Sequence, residues 1–284
     1  MRLSTPRWWY VRDNAPMRVT RMVLTPLSWI WAWETARRLA RGHPVDPGAP
    51  VICIGNVTMG GTGKTPVVRA IGRRLAQRGR TSAVLSRGYG GRARGPLRVD
   101  PALHTAADVG DEPLMLAADQ TTWIAGDRAA GARAAVADGA EVILMDDGFQ
   151  SPAVRKTLSI LVVDGETRQD EWPFGDGAVF PAGPMREPLA AALARADAVV
   201  VLSPADLPRA DPELLSQFGA VPVLTAHLEP LSPPPPGPQL AFAGIGKPWK
   251  MERALVAAGC QMVDFAPFPD HARIPEAVLR FLAR

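Results

Sequence analysis

Val51-Ile52-Cys53-Ile54-Gly55-Asn56-Val57-Thr58-Met59-Gly60-Gly61-Thr62-Gly63-Lys64-Thr65-Pro66 reads as a buried strand, a glycine loop and a helix start in immediate succession. Val51 to Ile54 is a short continuous apolar run, the pattern of a strand in a parallel sheet covered on both faces. Gly60, Gly61 and Gly63 let backbone N–H groups turn inward without Cβ interference, and the following helix aims its positive dipole end at the same point. An anion, above all a phosphate chain, fits such a cradle. Lys64 would reach the β- and γ-phosphates and Thr65 would offer its hydroxyl to Mg²⁺. Thr58 stands where the strict G-x-x-x-x-G-K-[ST] spacing asks for glycine.

Working outward, Lys64 to Arg78 has helical spacing, with Val67, Val68, Ile71 and Leu75 on one face and Arg69, Arg73, Arg74 and Arg78 on the other. Thr81 to Leu85 is a second apolar strand, ending in the glycine and arginine loop Ser86 to Arg92. Strand C-termini are where open α/β sheets hold their ligands. Gly110-Asp111-Glu112-Pro113 opens a further helix, with Asp111 at its mouth or serving as an N-cap. Val142 to Met145 is another buried strand, and Asp146-Asp147 follow it, which is where nucleotide-phosphate enzymes keep a Mg²⁺-binding acid. Leu158 to Val163 adds one more strand. The chain then passes through Pro/Gly-rich sequence from Trp172 to Pro188 before a second set of expected strands at Ala198–Leu202, Val221–Thr225, Leu240–Ala243 and Met262–Phe265.

The expected fold is therefore α/β: a phosphate-loop NTPase-like, mostly parallel sheet flanked by helices, with a second smaller α/β domain and an N-terminal amphipathic helical segment. Boundaries are expected at residues 1–48, 49–166 and 167–284. At 284 residues the chain has enough length for such cores, and its composition is that of a folded soluble protein. Cys53 and Cys260 lie in apolar runs without metal-ligand spacing, as in a reducing compartment.

Charge and aromatics concentrate at the start. Residues 1–50 hold eight arginines against three acids, and five of the eight tryptophans: Trp8, Trp9, Trp29, Trp31 and Trp33. A nearly neutral body with a basic N-terminal segment favours one local anionic surface over a nucleic-acid groove. The apolar stretch Met22 to Trp33 is too short for a bilayer span, which takes about 20 residues. Trp29, Trp31 and Trp33 would either enter a membrane interface, with Arg37, Arg38 and Arg41 on anionic headgroups, or pack into a core.

Seven motifs in order also carry a resemblance: Gly55 to Pro66, Ser86-Arg87-Gly88-Tyr89, Gly110-Asp111-Glu112-Pro113, Asp146-Asp147-Gly148-Phe149-Gln150, Pro181 to Pro188, Phe242-Ala243-Gly244-Ile245-Gly246 and Phe268-Pro269-Asp270-His271. Together they resemble the tetraacyldisaccharide 4′-kinase family of lipid A synthesis, in which the altered first loop position is shared. The resemblance implies ATP-dependent phosphorylation of the 4′-hydroxyl of an acylated glucosamine disaccharide 1-phosphate. It implies a peripheral, monomeric enzyme at the cytoplasmic face of the bacterial inner membrane, with no nucleic-acid partner. It assigns nucleotide contacts to Thr58, Gly60, Gly61, Thr62, Gly63, Lys64 and Thr65, Mg²⁺ to Thr65, Asp146 and Asp147, and proton transfer to Asp111 with His271 as its partner. Ser151, Asp176, Lys247 and Ala272 depart from the family pattern. The chain ends at Arg284, where the resemblance implies another strand and a Thr-Glu-Lys-Asp segment, so either a trimmed second domain or a divergent or incomplete gene product is expected. A nucleotide-driven switch or metallochaperone ATPase is the rival class, and neither its Cys/His cluster nor an Asn-Lys-x-Asp segment occurs. A catalytically lapsed membrane-binding relative is the third.

Overall fold

The structure is a computed structural model and describes residues 5–168, 171–204, 207, 209–230, 232–268 and 274–282. Among the described residues, ten strands and nine α-helices follow in chain order: α1 (Arg18–Ala40), β1 (Val51–Gly55), α2 (Lys64–Gln77), β2 (Ser82–Ser86), β3 (Leu97–Arg98), α3 (Ala106–Val109), α4 (Asp111–Ala117), β4 (Thr122–Ile124), α5 (Arg128–Ala137), β5 (Val142–Asp146), β6 (Leu158–Asp164), α6 (Leu189–Leu193), β7 (Ala198–Ser203), α7 (Pro212–Ser216), β8 (Val223–His227), β9 (Gln239–Ala243), α8 (Pro248–Ala257), β10 (Met262–Pro267) and α9 (Glu276–Leu282).

Eight strands make one sheet in the order β3-β4-β2-β5-β1-β6-β7-β8, and only the short β3 runs antiparallel. From β1 the chain moves to one side through β2 and β4, returns as β5 beside β1, and then crosses to β6 on the other side. The C-terminal ends of β1 and β5 therefore lie at the switch point, where a crevice opens in sheets of this kind. Each face is covered. Cys53, Leu85, Ile143, Met145, Val199 and Val201 pack with alanines of α5 on one side, while Ile54, Val84, Leu144 and Val162 pack with Val67 and Val68 of α2 and Leu116 of α4 on the other. Full burial of each such aliphatic side chain stabilises by roughly 1.5–3 kcal/mol, which is why unbroken apolar runs settle as central strands.

The boundary expected at 166/167 does not coincide with the edge of this sheet. β7 continues it through the parallel register Ile160↔Ala198 to Asp164↔Leu202, and β8 adds to β7. The Pro/Gly-rich passage before β7, where the boundary is expected, folds back over the glycine loop. Only β9 and β10 stand apart, as a parallel pair joined through α8. Lys247 and Lys250 tie that unit to Asp164 at the end of β6, and Arg253 ties it to Glu166 at 3.0 Å.

The N-terminal segment also divides its residues. Trp9 and Tyr10 are buried, and the Trp172 N–H donates to the Tyr10 carbonyl at 2.6 Å. Along α1 only Ser28 and Thr35 are fully buried, whereas Val19, Met22, Val23, Leu27, Ile30, Trp29 (70% exposed) and Trp33 (62%) face outward. Trp31 does not join them: its ring leans on Phe180 at 4.7 Å and its indole N–H donates to the Arg186 carbonyl at 3.0 Å. The expectation that all three tryptophans share one environment is thus corrected, because 29 and 33 fall one helical turn apart and 31 lies between turns. Among the described residues no helix is long and apolar enough to cross a membrane.

Candidate active site

The loop between β1 and α2 turns through left-handed backbone at Gly60 (φ 86°) and at Gly63 (φ 82°), which caps α2. A Cβ at Gly63 would run into Leu202 at the end of β7, so that position needs glycine for space as well as conformation. Gly61 has open space around it. Thr62 and Thr65 are buried, and the Thr62 hydroxyl and the Asn56 side-chain oxygen have no hydrogen-bond partner among the described residues.

The back of the loop is held by protein. Thr58 pairs with Met185, the Met59 N–H donates to the Pro184 carbonyl at 2.7 Å, and the Arg186 N–H donates to the Val57 carbonyl at 2.6 Å. Tyr10 adds a hydroxyl bond to the Met59 carbonyl at 2.6 Å. Backbone groups that strand pairing would otherwise leave unmet are thereby satisfied. Thr58 stands in this pairing, with its carbonyl accepting from Arg186 Nε at 3.1 Å.

At the end of β5 the two acids have opposite surroundings. Asp147 sits at φ 49°, a left-handed turn that aspartate tolerates better than most residues. Arg128, itself buried, grips the turn by donating to the Asp147 carbonyl at 3.1 Å and the Asp146 carbonyl at 3.4 Å. Lys64 Nζ lies 3.7 Å from the Asp147 carboxylate, and Arg186 Nη1 donates to the same oxygen at 2.8 Å. Burial works against its ionisation, but Lys64 and Arg186 win and hold its pKa down at about 2. Asp146 is 1% exposed, and neither carboxylate oxygen has a hydrogen-bond partner among the described residues. Burial, reinforced by the negative charges of Glu112 and Asp147, pushes its pKa up to about 7 against the pull of Lys64 and Arg128.

Asp111 begins α4, and Gly110, not Asp111, holds the N-cap position. Gly110 has φ 94°, and a Cβ there would strike the Tyr89 carbonyl, so the glycine lets the helix start tight against the Ser86 to Arg92 loop. The influence of Glu112 on Asp146 shows that the first turn of α4 lies within electrostatic reach of the β5 acids. His271 lies outside the described residues. Arg128 and Arg186 went unassigned in the sequence reading. The only sequence signal for Arg186 was its place in the Pro181 to Pro188 motif; nothing local marks Arg128.

The donor set suits a hard divalent cation. Two orphaned carboxylate oxygens on Asp146 lie at the switch point with the Thr65 hydroxyl at the start of α2, and Mg²⁺ accepts such oxygens while filling its remaining positions from phosphate and water. Among the described residues no group of three His, Cys, Asp or Glu could hold a metal by itself. A metal held by these oxygens would need phosphate or water to complete its shell.

A chain that keeps a lysine at the mouth of a glycine loop and an uncompensated acid on the neighbouring strand belongs, by fold and site, with the phosphate-loop nucleotide-binding proteins. Comparison with known sequences narrows the class. The family model described as tetraacyldisaccharide-1-P 4′-kinase matches residues 20–284, and the chain belongs to that family. Similar relatives include the tetraacyldisaccharide 4′-kinases of Phenylobacterium zucineum, 66% identical over all of this chain and 85% of the relative, and of Caulobacter sp. strain K31, 64% identical over 99% and 84%. The fold is similar to the crystal structure of LpxK from Aquifex aeolicus in complex with ATP, with a TM-score of 0.69 and 24% identity over 90% of this chain and 85% of that one.

The opposed acids make a testable prediction. Asp146 keeps its proton in the folded protein up to about pH 7, whereas the unfolded chain releases it near pH 4, so the metal-free protein loses stability as pH rises through that window and then levels off. Asp146→Asn should remove the penalty. Its unfolding free energy without Mg²⁺ should match the wild type near pH 4 and exceed it by roughly 2–4 kcal/mol at about pH 8. Denaturant titration across the range reads this, and a pH-independent difference would show that Asp146 is compensated.

Proposed function

We infer that the protein transfers the γ-phosphoryl group of ATP to the 4′-hydroxyl of a tetraacylated glucosamine disaccharide 1-phosphate. The family supports this reading, and the observation that carries it is the pair of unlike acids at the end of β5 beside Lys64. Thr65 and Asp146 would hold Mg²⁺, with Asp147 as the second acid of the site; bound there, the ion would supply positive charge against the charge that grows on the transferring phosphoryl group. Lys64 stabilises the transferring phosphoryl group, and the loop N–H groups at Gly60 to Gly63 orient the phosphates. Arg186 and Asp147 keep Lys64 placed.

Asp111 accepts the proton of the sugar hydroxyl, and His271 supports it from the C-terminal unit. A hydroxyl is a weak nucleophile, so a carboxylate in reach of it matters most as the new P–O bond forms.

The outer face of α1 supports a peripheral position at an anionic membrane surface. Trp29 and Trp33 suit the headgroup level, Arg37 lies over the Trp33 ring at 5.4 Å, and Arg38 and Arg41 continue the basic end. A lipid substrate held in a bilayer requires the enzyme to come to that plane.

Turnover of purified protein with ATP, Mg²⁺ and a radiolabelled acylated disaccharide phosphate tests the activity. Lys64→Ala should lower kcat by on the order of 10²-fold with the fold intact; near-normal turnover would remove Lys64 from the mechanism. Asp111→Ala and His271→Ala should each lower kcat, and the double variant should lose far less than the product of the two, since residues that act as a unit are non-additive. Independent, multiplicative losses would separate them. Vesicle sedimentation reads the membrane contact: each basic contact contributes about 1 kcal/mol at low salt, so binding should weaken with salt, and Trp29→Ala with Trp33→Ala should weaken it further. Salt-independent binding would place the contact elsewhere.

A further inference from the structure

Helix α1 has an inner face as specific as its outer one. Ser28 Oγ donates to the Val179 carbonyl at 2.7 Å and accepts from the Ala182 N–H at 3.1 Å. One turn on, the Trp31 indole N–H donates to the Arg186 carbonyl. Both side chains therefore grip the segment that backs the phosphate loop, the same segment whose Pro184 carbonyl and Arg186 N–H bond Met59 and Val57. From the far side of Arg186 its guanidinium reaches the Thr58 carbonyl, Asp147 and, at 3.4 Å, the Gln150 side chain. A single residue separates the indole of α1 from the carboxylate that places Lys64.

Packing alone does not account for Trp31. The residue is 41% exposed, so burial is not what orients it. A tryptophan serving only as an interfacial anchor turns its N–H toward water and headgroups. Here the polar edge points into the protein, and the ring meets Phe180 in the same segment.

We propose that Trp31, together with Ser28, is a positioning residue for phosphoryl transfer: it fixes the backbone of Arg186 so that the guanidinium stays between the glycine loop and Asp147, and it thereby couples the lipid-facing helix to the charge balance of the active site. The positioning half rests on the kinase reading of this site. The coupling half rests in addition on the membrane contact of α1. Hydrogen-bonded neighbours on one rigid helix transmit a shift without any change of fold, since the 178–187 segment has its backbone bonded on both sides.

Trp31→Phe keeps an aromatic ring against Phe180 and removes the donor with part of the indole surface, so Ser28→Ala serves as the companion variant that leaves this ring contact intact. With detergent-dispersed substrate its kcat should fall by on the order of tenfold, as expected for one lost hydrogen bond expressed in the transition state, while KM for either substrate stays within about twofold. In the nucleotide-free protein, amide exchange at Met59 and Arg186 should quicken by a similar factor, with exchange in the central strands β1 and β5 unchanged. Ser28→Ala should move both readouts the same way. On an Arg186→Lys background, Trp31→Phe should cost less than about twofold, because its effect passes through Arg186. On anionic vesicles, wild-type kcat should exceed its detergent value, and Trp31→Phe should lose that rise while binding the vesicles as the wild type does.

Wild-type kcat and wild-type exchange in both variants would overturn the proposal, as would a change confined to KM or a fully multiplicative loss with Arg186→Lys. If the wild type fails to bind vesicles, the coupling half falls and the detergent measurements still decide the positioning half. If the wild type fails to turn over at all, the kinase reading fails, and exchange at Met59 and Arg186 still reports whether Trp31 holds that backbone.

Discussion

One carboxylate with two cations, Asp147 between Lys64 and Arg186, fixes the geometry on which the site depends. A buried acid with no such partners would stay protonated or draw in water, at a cost of several kcal/mol. Asp147 instead stays ionised, and in doing so it joins α2, which carries Lys64, to the segment after β6, which carries Arg186. Its neighbour Asp146 is more deeply buried and has no hydrogen-bond partner for its carboxyl oxygens among the described residues, and burial drives it toward neutrality against the pull of Lys64 and Arg128. Adjacent residues of one chemical type thus receive opposite properties from their surroundings, and such divergence marks acid, base and metal roles in enzymes generally. Asp147 organises protein groups, while the carboxyl oxygens of Asp146 meet no partner among the described residues.

How much of this was legible in the sequence depends on how local each signal is. β1, the glycine loop and α2 were readable because an apolar run, glycines and helical spacing follow one another within 27 residues, from Val51 to Gln77. β5 and its acids were readable for the same reason. Strand neighbours were not: Ala198 to Leu202 is as apolar as Leu240 to Ala243, yet the first pairs with β6 and the second forms a separate sheet with β10. Hydrogen-bond partners across long sequence separation leave no local trace. Arg186 was hidden in the same way, since its partners Thr58, Asp147 and Gln150 are 36 or more positions distant. Proline and glycine around it break the strand–helix pattern, and they let a chain without regular structure lie flat against the phosphate loop.

The smaller unit is attached through a set of ion pairs. Lys247, at the start of α8, lies near both Asp164 (2.9 Å) and Glu171 (3.7 Å) and sits 4.7 Å above the Tyr10 ring. Burial opposes ionisation of Asp164, but Lys247 and Lys250 hold its pKa below the ordinary range. Tyr10 in turn bonds the Met59 carbonyl. Lys247 therefore connects the β9–β10 unit to the glycine loop through one tyrosine.

That connection recasts the choice posed by an aromatic, basic N-terminal segment. Membrane contact and core packing looked like alternatives because a tryptophan was treated as serving one or the other. Residues 9, 10, 28 and 31 face the protein and brace the loop from behind, while 19, 22, 23, 27, 29, 30 and 33 face away. Helical periodicity allows both at once, since an inner stripe needs only every third or fourth residue. The inner stripe is small and polar, with Ser28 and Thr35 buried where a core helix would carry leucine. Its polar side chains give direction in place of apolar area, so the helix is registered against the 178–187 segment by specific donors, and its large apolar side chains are left for the surface outside.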